Sequence, residues 1–198
     1  VVTGMATAIM QGPLRLEIDC RCPKVLAQAI AWKRAQYQRT HILDLFLPEW
    51  TRRLVHVLHE LETQSDSDPQ EATSFAAEPL RGLLSVLRAG DHVVAAHVGM
   101  VERGQLHYWF PTYDPVYSRY SPGTALFTEI VRAATDHGID GIDMGYGEQP
   151  YKQKQTGTTS QVAFGIITDS KWQRTNYRLK QQTVACLKRM PMKEFFKK

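Results

Sequence analysis

Cysteine is scarce in this sequence, whose 198 residues include only Cys20, Cys22 and Cys186. An odd and low number argues against a disulfide framework and for a reducing compartment, so we expect a cytoplasmic protein. One residue separates Cys20 from Cys22, and no second pair follows. That spacing does not suit a zinc site, and we predict a structural role for both cysteines.

Long apolar runs and several catalytic motifs are also missing. No apolar stretch approaches the roughly 20 residues that cross a bilayer, so we predict no membrane span. The chain lacks a Gly-x-Ser-x-Gly turn, a Walker phosphate loop and a His-Glu-x-x-His pattern, which disfavours serine hydrolases, P-loop NTPases and zinc proteases.

Two histidines on neighbouring predicted strands, His97 and His107, are candidates for a metal site. If the turn between the strands has two residues, residue 107 lies opposite residue 100, and the two side chains then point to opposite faces of the sheet. We therefore predict no metal.

The chain does have the composition of a globular domain, with 43% apolar and 22% charged residues. Its length suits one domain with a substantial core, or one domain and a small appendage. Whether an N-terminal partner domain precedes Val1 is left open. Residues 171–198 carry nine Lys or Arg and one Glu. We favour a solvated helix face there over contact with nucleic acid, anionic lipid or an acidic partner.

Hydrophobic periodicity predicts two helices ahead of a sheet, at residues 23–39 and 47–61. Pro48 is placed at the first helical position of the second helix, where its missing N–H costs nothing. The residues near one face are Val25, Leu26, Ala29, Ile30, Lys33 and Tyr37 in the first helix, and Trp50, Leu54, Leu58 and Leu61 in the second.

An antiparallel meander follows, in which turn signals at Gly90-Asp91 and Arg103-Gly104 join three strands. Apolar residues fill both parities of the second strand, so helices should cover both faces of the sheet. Predicted strands occupy residues 82–88, 92–101, 105–112, 139–144 and 161–168. The predicted parts of the chain are an N-terminal strand and helices at 1–62, an acidic flexible loop at 63–78, a core at 79–170, and a basic C-terminal helix and tail at 171–198.

Residues 113–152 form the stretch with the clearest chemistry. A strand should stop pairing near Pro111 and Pro115, because neither proline can donate to a ladder. Ser121 is a predicted helix N-cap, and Gly123 beside it lets a ligand approach the first-turn amides, which attract anions. The next strand then ends at Asp143, so the polar residues gather at the carboxyl ends of two strands.

This stretch resembles the GNAT acyltransferase superfamily. The segments Arg-Tyr-Ser-Pro-Gly at 119–123 and Gly-Ile-Asp-Met-Gly-Tyr-Gly-Glu-Gln-Pro-Tyr-Lys at 141–152 are similar to those of its CelD-like, FemAB-related branch of polysaccharide-biosynthesis acetyltransferases. The likeness extends to residues 31–40 and 44–50. It implies an α/β (α+β) fold with a mixed, mainly antiparallel sheet, helices on both faces and a splayed strand pair. In the common family motif, Gln or Arg stands where this chain has Tyr120.

The resemblance also implies roles for individual residues. Asp143 would assist the nucleophile, Tyr151 would protonate the leaving thiolate, and Glu148 is an alternative base. Lys152 and Tyr113 would contact the acceptor. The residues implied in holding the cosubstrate are Arg119, Tyr120, Ser121, Gly123, Thr124 and Ala125.

We therefore expect an enzyme that transfers an acetyl or other acyl group from its CoA thioester to an amine or hydroxyl, with a sugar precursor as one acceptor class. Two alternatives stay open at this point. A FemAB-like enzyme would take its donor from aminoacyl-tRNA, and the basic segment 171–198 would then contact phosphates. A catalytically degenerate domain would bind a partner within a synthase complex.

Overall fold

A sheet of five strands is the centre of the part of this protein that the structure describes. The computed structural model describes residues 12–61, 80–147, 150–163 and 167–189. The strands are β1 (Leu14–Glu17), β2 (Arg81–Ala89), β3 (His92–Glu102), β4 (Gln105–Tyr113) and β5 (Gly141–Asp143). They lie in the order β1-β2-β3-β4-β5; the first four are antiparallel, and β5 runs parallel to β4. The predicted mixed, mainly antiparallel sheet is confirmed.

Helices cover both faces of the sheet, as the two apolar parities of β3 predict. The helices are α1 (Pro23–Thr40), α2 (Glu49–Glu60), α3 (Pro122–Ala133), α4 (Pro150–Gln155) and α5 (Lys171–Arg189). One buried cluster joins α1 and the chain after it to Val86, Ala96 and Val98. The other joins α3 to Leu83 and Leu106. The chain divides into two compact units, residues 1–156, which hold the sheet, and residues 157–198, which hold α5.

The first helix follows its predicted pattern closely. The six residues predicted to share a face are the six that the helix buries, and Lys33 is among them. A buried lysine inside an apolar stripe is uncommon, because an ammonium loses its hydration there. The position of Lys33 therefore requires a polar partner, which the sheet supplies.

The second helix departs from its predicted pattern. It begins at Glu49, and Pro48 is its N-cap in extended conformation instead of its first residue. Trp50 is 68% exposed and Leu54 41% exposed. The helix is rotated by about one residue relative to the predicted stripe, so that its buried residues are Thr51, Val55, Leu58 and His59.

Two other predicted segments differ from the structure or lie outside it. The strand predicted at 161–168 is wrong for residues 161–163 and 167–168, which form no ladder, and residues 164–166 lie outside the described chain. The loop predicted at 63–78 is also outside the described residues. The four-part division of the chain stays a prediction, although β1 pairs with β2 in the same sheet as the core strands.

A bulge shifts the register between β3 and β4. His107 lies opposite Met100, as predicted, and Phe110 lies opposite Val98, so two residues of β4 face Gly99 alone. A Cβ atom at Gly99 would lie 2.3 Å from the His107 carbonyl oxygen and 2.7 Å from the His97 ring. Glycine at this position therefore allows the bulge and leaves room for the buried imidazole.

Gly82 allows α2 to pack closely against β2. A Cβ atom there would lie 2.4 Å from the Leu58 carbonyl oxygen, a backbone atom that cannot rotate away. We expect Gly82→Ala to lower the free energy of unfolding by about 1–3 kcal/mol, because overpacking forces the helix off the sheet. Urea denaturation followed by circular dichroism measures this.

Gly157→Ala is the matched control, because a Cβ atom at Gly157 would have no atom within 4 Å and its backbone carries no positive φ. We expect the urea concentration at which half of this variant is unfolded to stay close to that of the wild type. Equal midpoints for both variants and the wild type would show that the close approach at Gly82 contributes nothing to stability.

Candidate functional site

The candidate site is a gap between β4 and β5. The two strands pair at Gln105–Gly141, Leu106–Ile142 and His107–Asp143, and the pairing ends there. β4 continues to Tyr113 beside β3, while the chain after Asp143 turns away. The backbone of β4 beyond His107 therefore has an edge without a strand partner in the described chain.

The direction of each peptide group on that edge follows from strand alternation. The Asp114 N–H donates to the Val94 carbonyl of β3. In an antiparallel pair alternate residues face the partner, so Phe110 and Thr112 also face β3, whereas Pro111 and Tyr113 face the gap. Pro111 still pairs with β3, opposite His97. Pairing with β3 ends at Tyr113, between Pro111 and Pro115, as predicted. The pairing of β4 with β5 ends earlier than the prolines predict, at His107, four residues before Pro111.

A tight turn carries the chain from β4 into α3. The Asp114 carboxylate accepts from the Val116 N–H and begins a 3₁₀ helix, Pro115–Tyr120. Ser121 then adopts a left-handed conformation with φ 53°. This residue ends one helix and begins the next, so the chain reverses at a single position.

Ser121 does not cap α3 with its side chain, contrary to the sequence prediction. Its left-handed backbone brings its carbonyl into line instead, and that oxygen accepts from the Thr124 and Ala125 N–H groups. Pro122 has no N–H. Within the described chain, this leaves the Gly123 amide as the first-turn donor without an acceptor, so one backbone donor is directed outwards from the helix start.

The other residues predicted around this turn differ in their contacts and burial. The Arg119 guanidinium lies over the Tyr120 ring at 4.6 Å from its centroid. The Tyr113 ring is 3.8 Å from the position of a Cβ on Gly123. Thr124 is exposed and Ala125 is buried in the core. The turn, the helix start and the end of β4 are thus brought together.

Asp143 lies where β5 ends, and its two carboxylate oxygens face different groups. Oδ1 accepts from the Gly145 N–H at 2.7 Å, which stabilises the turn after the strand. Oδ2 lies 3.6 Å from Nδ1 of His107 on β4. The side chain is 53% exposed, so a ligand in the gap can reach it. Oδ1 of Asp143 therefore stabilises the turn, while the side chain remains accessible from the gap.

The helix α4 places Tyr151 and Lys152 beside the same turn. Tyr151 is 46% exposed, and burial of the rest raises the pKa of its phenol. The Lys152 ammonium donates to the Gly145 and Tyr146 carbonyls at 3.2 and 2.9 Å. Desolvation lowers the pKa of Lys152. Glu148, the predicted alternative base, lies outside the described residues.

A buried polar group lies inside the sheet near this site. The His97 ring stacks on Tyr108 at a centroid distance of 4.0 Å, and neither of its nitrogens has a partner within the described chain. Burial, and secondarily the charge of Lys33, lowers the pKa of His97 to about 3. Burial also raises the pKa of Tyr108, and the nearby Tyr151 raises it further. His97 is therefore a neutral ring at physiological pH.

Lys33 lies at the gap, although no motif in the sequence points to it. Its ammonium donates to the Pro111 carbonyl at 2.8 Å, on the side of β4 that faces the gap. Burial lowers the pKa of Lys33 to about 8. The lysine within the apolar stripe of α1 was the available signal, but nothing local in the sequence links it to Pro111, 78 residues away.

The described part of the chain offers neither a metal cluster nor a membrane span. Within residues 12–61, 80–147, 150–163 and 167–189, no group of three or more His, Cys, Asp or Glu side chains could hold a metal ion. None of the helices in these ranges is long and apolar enough to cross a bilayer.

A mixed sheet whose last two strands part after a short parallel pairing is the arrangement of acyltransferases of the GNAT class. A family profile described as an acetyltransferase (GNAT) domain matches residues 6–153. The chain belongs to this family and is an enzyme with GNAT acetyltransferase activity, for which membership implies an acyl-CoA cosubstrate.

Solved structures of similar fold support the architecture. Two are of the aminoglycoside acetyltransferase meta-AAC0020 from an uncultured soil metagenomic sample, in complex with trehalose and with sisomicin. Their sequence identities are 12% and 13%, and each match has a TM-score of 0.51 and covers 79% of this chain and 97% of that chain. At such identity the likeness shows the fold alone. Among curated proteins no match is found.

The contacts of Lys152 predict its effect on the turn after β5. We expect Lys152→Met to speed hydrogen exchange of the Gly145 amide by roughly tenfold or more, because two charge-assisted bonds to the turn are lost. Hydrogen exchange followed by NMR measures the rate. Lys154→Met, on the exposed side of the same helix, is the control and should leave the rate unchanged. Equal rates in both variants would contradict this role of Lys152.

Proposed function

We propose that this protein transfers an acetyl group from acetyl-CoA to an amine or hydroxyl of a sugar or polysaccharide precursor. The observation that carries the proposal is the gap that opens between β4 and β5 after the pair His107–Asp143. It has an outward amide of α3 near one end and an accessible carboxylate at the other. A thioester with a long, extended arm fits between unpaired strand edges, since backbone groups there can bond to its amides.

The turn before α3 would hold the diphosphate of the cosubstrate. The Gly123 N–H and the positive end of the helix dipole favour an anion there. Arg119, stacked on Tyr120, adds a cation beside the same turn. Ser121 and Thr124 would lie beside the phosphate, while Ala125 packs in the core and supports the first turn of the helix. The absence of a side chain on Gly123 lets a phosphate approach the backbone.

Acyl transfer would proceed directly between the two substrates. Asp143, or Glu148 in its place, would accept a proton from the acceptor as its nitrogen or oxygen bonds to the thioester carbon. The carbon–sulfur bond then breaks, and Tyr151 would give its proton to the leaving thiolate. The raised pKa of Tyr151 keeps the phenol protonated and able to donate at neutral pH.

Aromatic side chains near the gap support a sugar as the acceptor. Trp109 is 36% exposed on β4, and Tyr113 and Tyr117 lie at the end of that strand. Aromatic rings of this kind present an apolar face with a polar edge. Similar structures of an aminoglycoside acetyltransferase contain sisomicin or trehalose, both of which carry sugar rings.

The CelD-like motifs favour a polysaccharide precursor among the sugar acceptors. The thiols of Cys20 and Cys22 are free, which favours the cytoplasm as the compartment of the enzyme.

A FemAB-like transfer from aminoacyl-tRNA is the second candidate, favoured by Tyr120 at the motif position of Gln or Arg. In that case Arg119 and the basic segment 171–198 would contact RNA phosphates. Binding of charged tRNA should then weaken steeply as salt increases, because each neutralised phosphate releases counterions. Tight, salt-resistant binding of acetyl-CoA without tRNA binding would exclude this donor.

The role of the α3 turn predicts a steric effect at Gly123. We expect Gly123→Trp to weaken acetyl-CoA binding at least tenfold, because the indole covers the outward amide. Gly123→Ala is the matched control and should bind nearly as the wild type does, since a Cβ there meets only the Tyr113 ring at 3.8 Å. Isothermal titration calorimetry gives the affinities. Unchanged binding by Gly123→Trp would place the diphosphate elsewhere.

The two contacts of Asp143 allow its structural and chemical roles to be separated. Asp143→Asn keeps an oxygen for the Gly145 N–H but loses the basic carboxylate, and Asp143→Ala loses both. We expect each variant to lower kcat about 10²- to 10⁴-fold, with normal stability only for Asp143→Asn. Thiol release from acetyl-CoA with a panel of amino sugars and aminoglycosides measures kcat. Full activity of Asp143→Asn would assign the base to another group.

A further inference from the structure

Lys33 holds an ammonium at the edge of the gap. Its side chain is 8% exposed, and its Nζ lies 2.8 Å from the Pro111 carbonyl oxygen and 5.3 Å from the centroid of the Tyr37 ring. Within the described chain, no carboxylate lies within ion-pair distance of this Nζ. One carbonyl and one aromatic face are thus the partners of a buried cation, and two of its three N–H groups have no acceptor among them.

β4 is short of donors at the same place. Phe110 and Thr112 direct their N–H groups to β3, and Pro111 faces the gap but has no N–H. Tyr113 therefore carries the next strand amide that faces the gap after the bulge. The ammonium of Lys33 lies beside the position where the missing Pro111 donor would have been.

A merely structural side chain at this position would not need a charge. Burying an ammonium without a carboxylate costs stability, and a methionine would fill the same volume in the apolar face of α1. The lowered pKa of Lys33, about 8, reflects this desolvation. The group stays mostly protonated at neutral pH and so presents a poorly hydrated donor to the gap.

We propose that Lys33 is a further catalytic residue, whose ammonium donates to the carbonyl oxygen of the acyl thioester and stabilises the charge that develops on that oxygen. This inference rests on the proposed function. The acceptor atom bonds to the carbonyl carbon, the oxygen gains negative charge, and the charge returns as the carbon–sulfur bond breaks. Lys33 keeps its proton throughout, and the leaving thiolate takes its proton from Tyr151. Donors fixed before reaction are worth most in such dry sites.

The carbonyl of bound substrate reports this contact without any acceptor. Acetyl-CoA labelled with ¹³C at the carbonyl carbon is added to wild-type protein, Lys33→Met and Lys33→Arg, and the carbonyl resonance is recorded by NMR. A hydrogen bond from a cation moves that resonance downfield. We expect a downfield shift on binding to the wild type and to Lys33→Arg, and a much smaller one with Lys33→Met. Calorimetry on the same samples gives the affinity.

The pH dependence adds a readout that a structural role would not produce. In the part of the chain that the structure describes, Lys33 interacts with two other titratable groups. One is His97 on β3, with a pKa of about 3, and the other is Tyr37 on its own helix, with a pKa raised to about 12 by burial and then by Asp44. Both are neutral between pH 6 and 10. The downfield shift in the wild type should therefore decline with a midpoint near pH 8, as Lys33 loses its proton. Lys33→Arg should show no such midpoint, because arginine keeps its proton over this pH range. Since Lys152 is still present in this variant, a midpoint that disappears is due to Lys33 and not to Lys152.

The outcomes separate this inference from the proposed function. No binding of acetyl-CoA to the wild type would overturn the proposed donor itself. Binding with equal carbonyl shifts in wild type and Lys33→Met would leave the donor intact and overturn the role of Lys33. If Lys33→Met does not fold, the comparison of wild type with Lys33→Arg decides, and a wild-type shift that is independent of pH from 6 to 10 would overturn the role.

Discussion

One constraint governs this molecule: β5 can pair with β4 for only three residues, after which the two strands part. Asp143 binds the Gly145 amide, and Lys152 binds the two carbonyls that follow, so the chain after β5 is held in a turn instead of a ladder. The peptide groups of Pro111 and Tyr113 on β4 then face the gap, without a strand partner in the described chain. Unpaired strand edges are costly or hazardous in most proteins, and here the edge is available to a ligand.

The two faces of the sheet give that edge two different surroundings. On one face α3 starts beside Tyr113, and its turn presents a backbone donor and a cation. On the other face α1 reaches over β4 through Lys33, whose ammonium covers the Pro111 carbonyl. The parting of the strands thus lies between an anion-attracting turn and a wall formed by α1. Under the proposed function, this arrangement would separate recognition of the cosubstrate from recognition of the acceptor.

The sequence predicted most of the fold because most of it is set by local periodicity. The buried face of α1, the meander and the register of His107 opposite Met100 follow from patterns of a few residues. The face of α2 did not follow, because tertiary packing turns the helix away from its apolar stripe, so that Trp50 lies outside and Thr51 lies inside. The left-handed Ser121 was missed because a 3₁₀ helix precedes it. The motif positions around the gap could be found, but the contact of Lys33 with Pro111 depends on tertiary packing alone.

The bond between Lys33 and Pro111 joins a helix to the edge of a gap, and this has an energetic consequence for both. While that bond exists, a movement of α1 also moves the Pro111 edge of β4, and the width of the gap changes with it. One ligand could displace the Pro111 carbonyl from Lys33, and another could move the helix. Both would break the same hydrogen bond, so its free energy would enter the binding of each. Such a term acts reciprocally, so each of the two substrates would change the affinity of the other by the same factor. The size of that factor would then depend on the strength of one hydrogen bond.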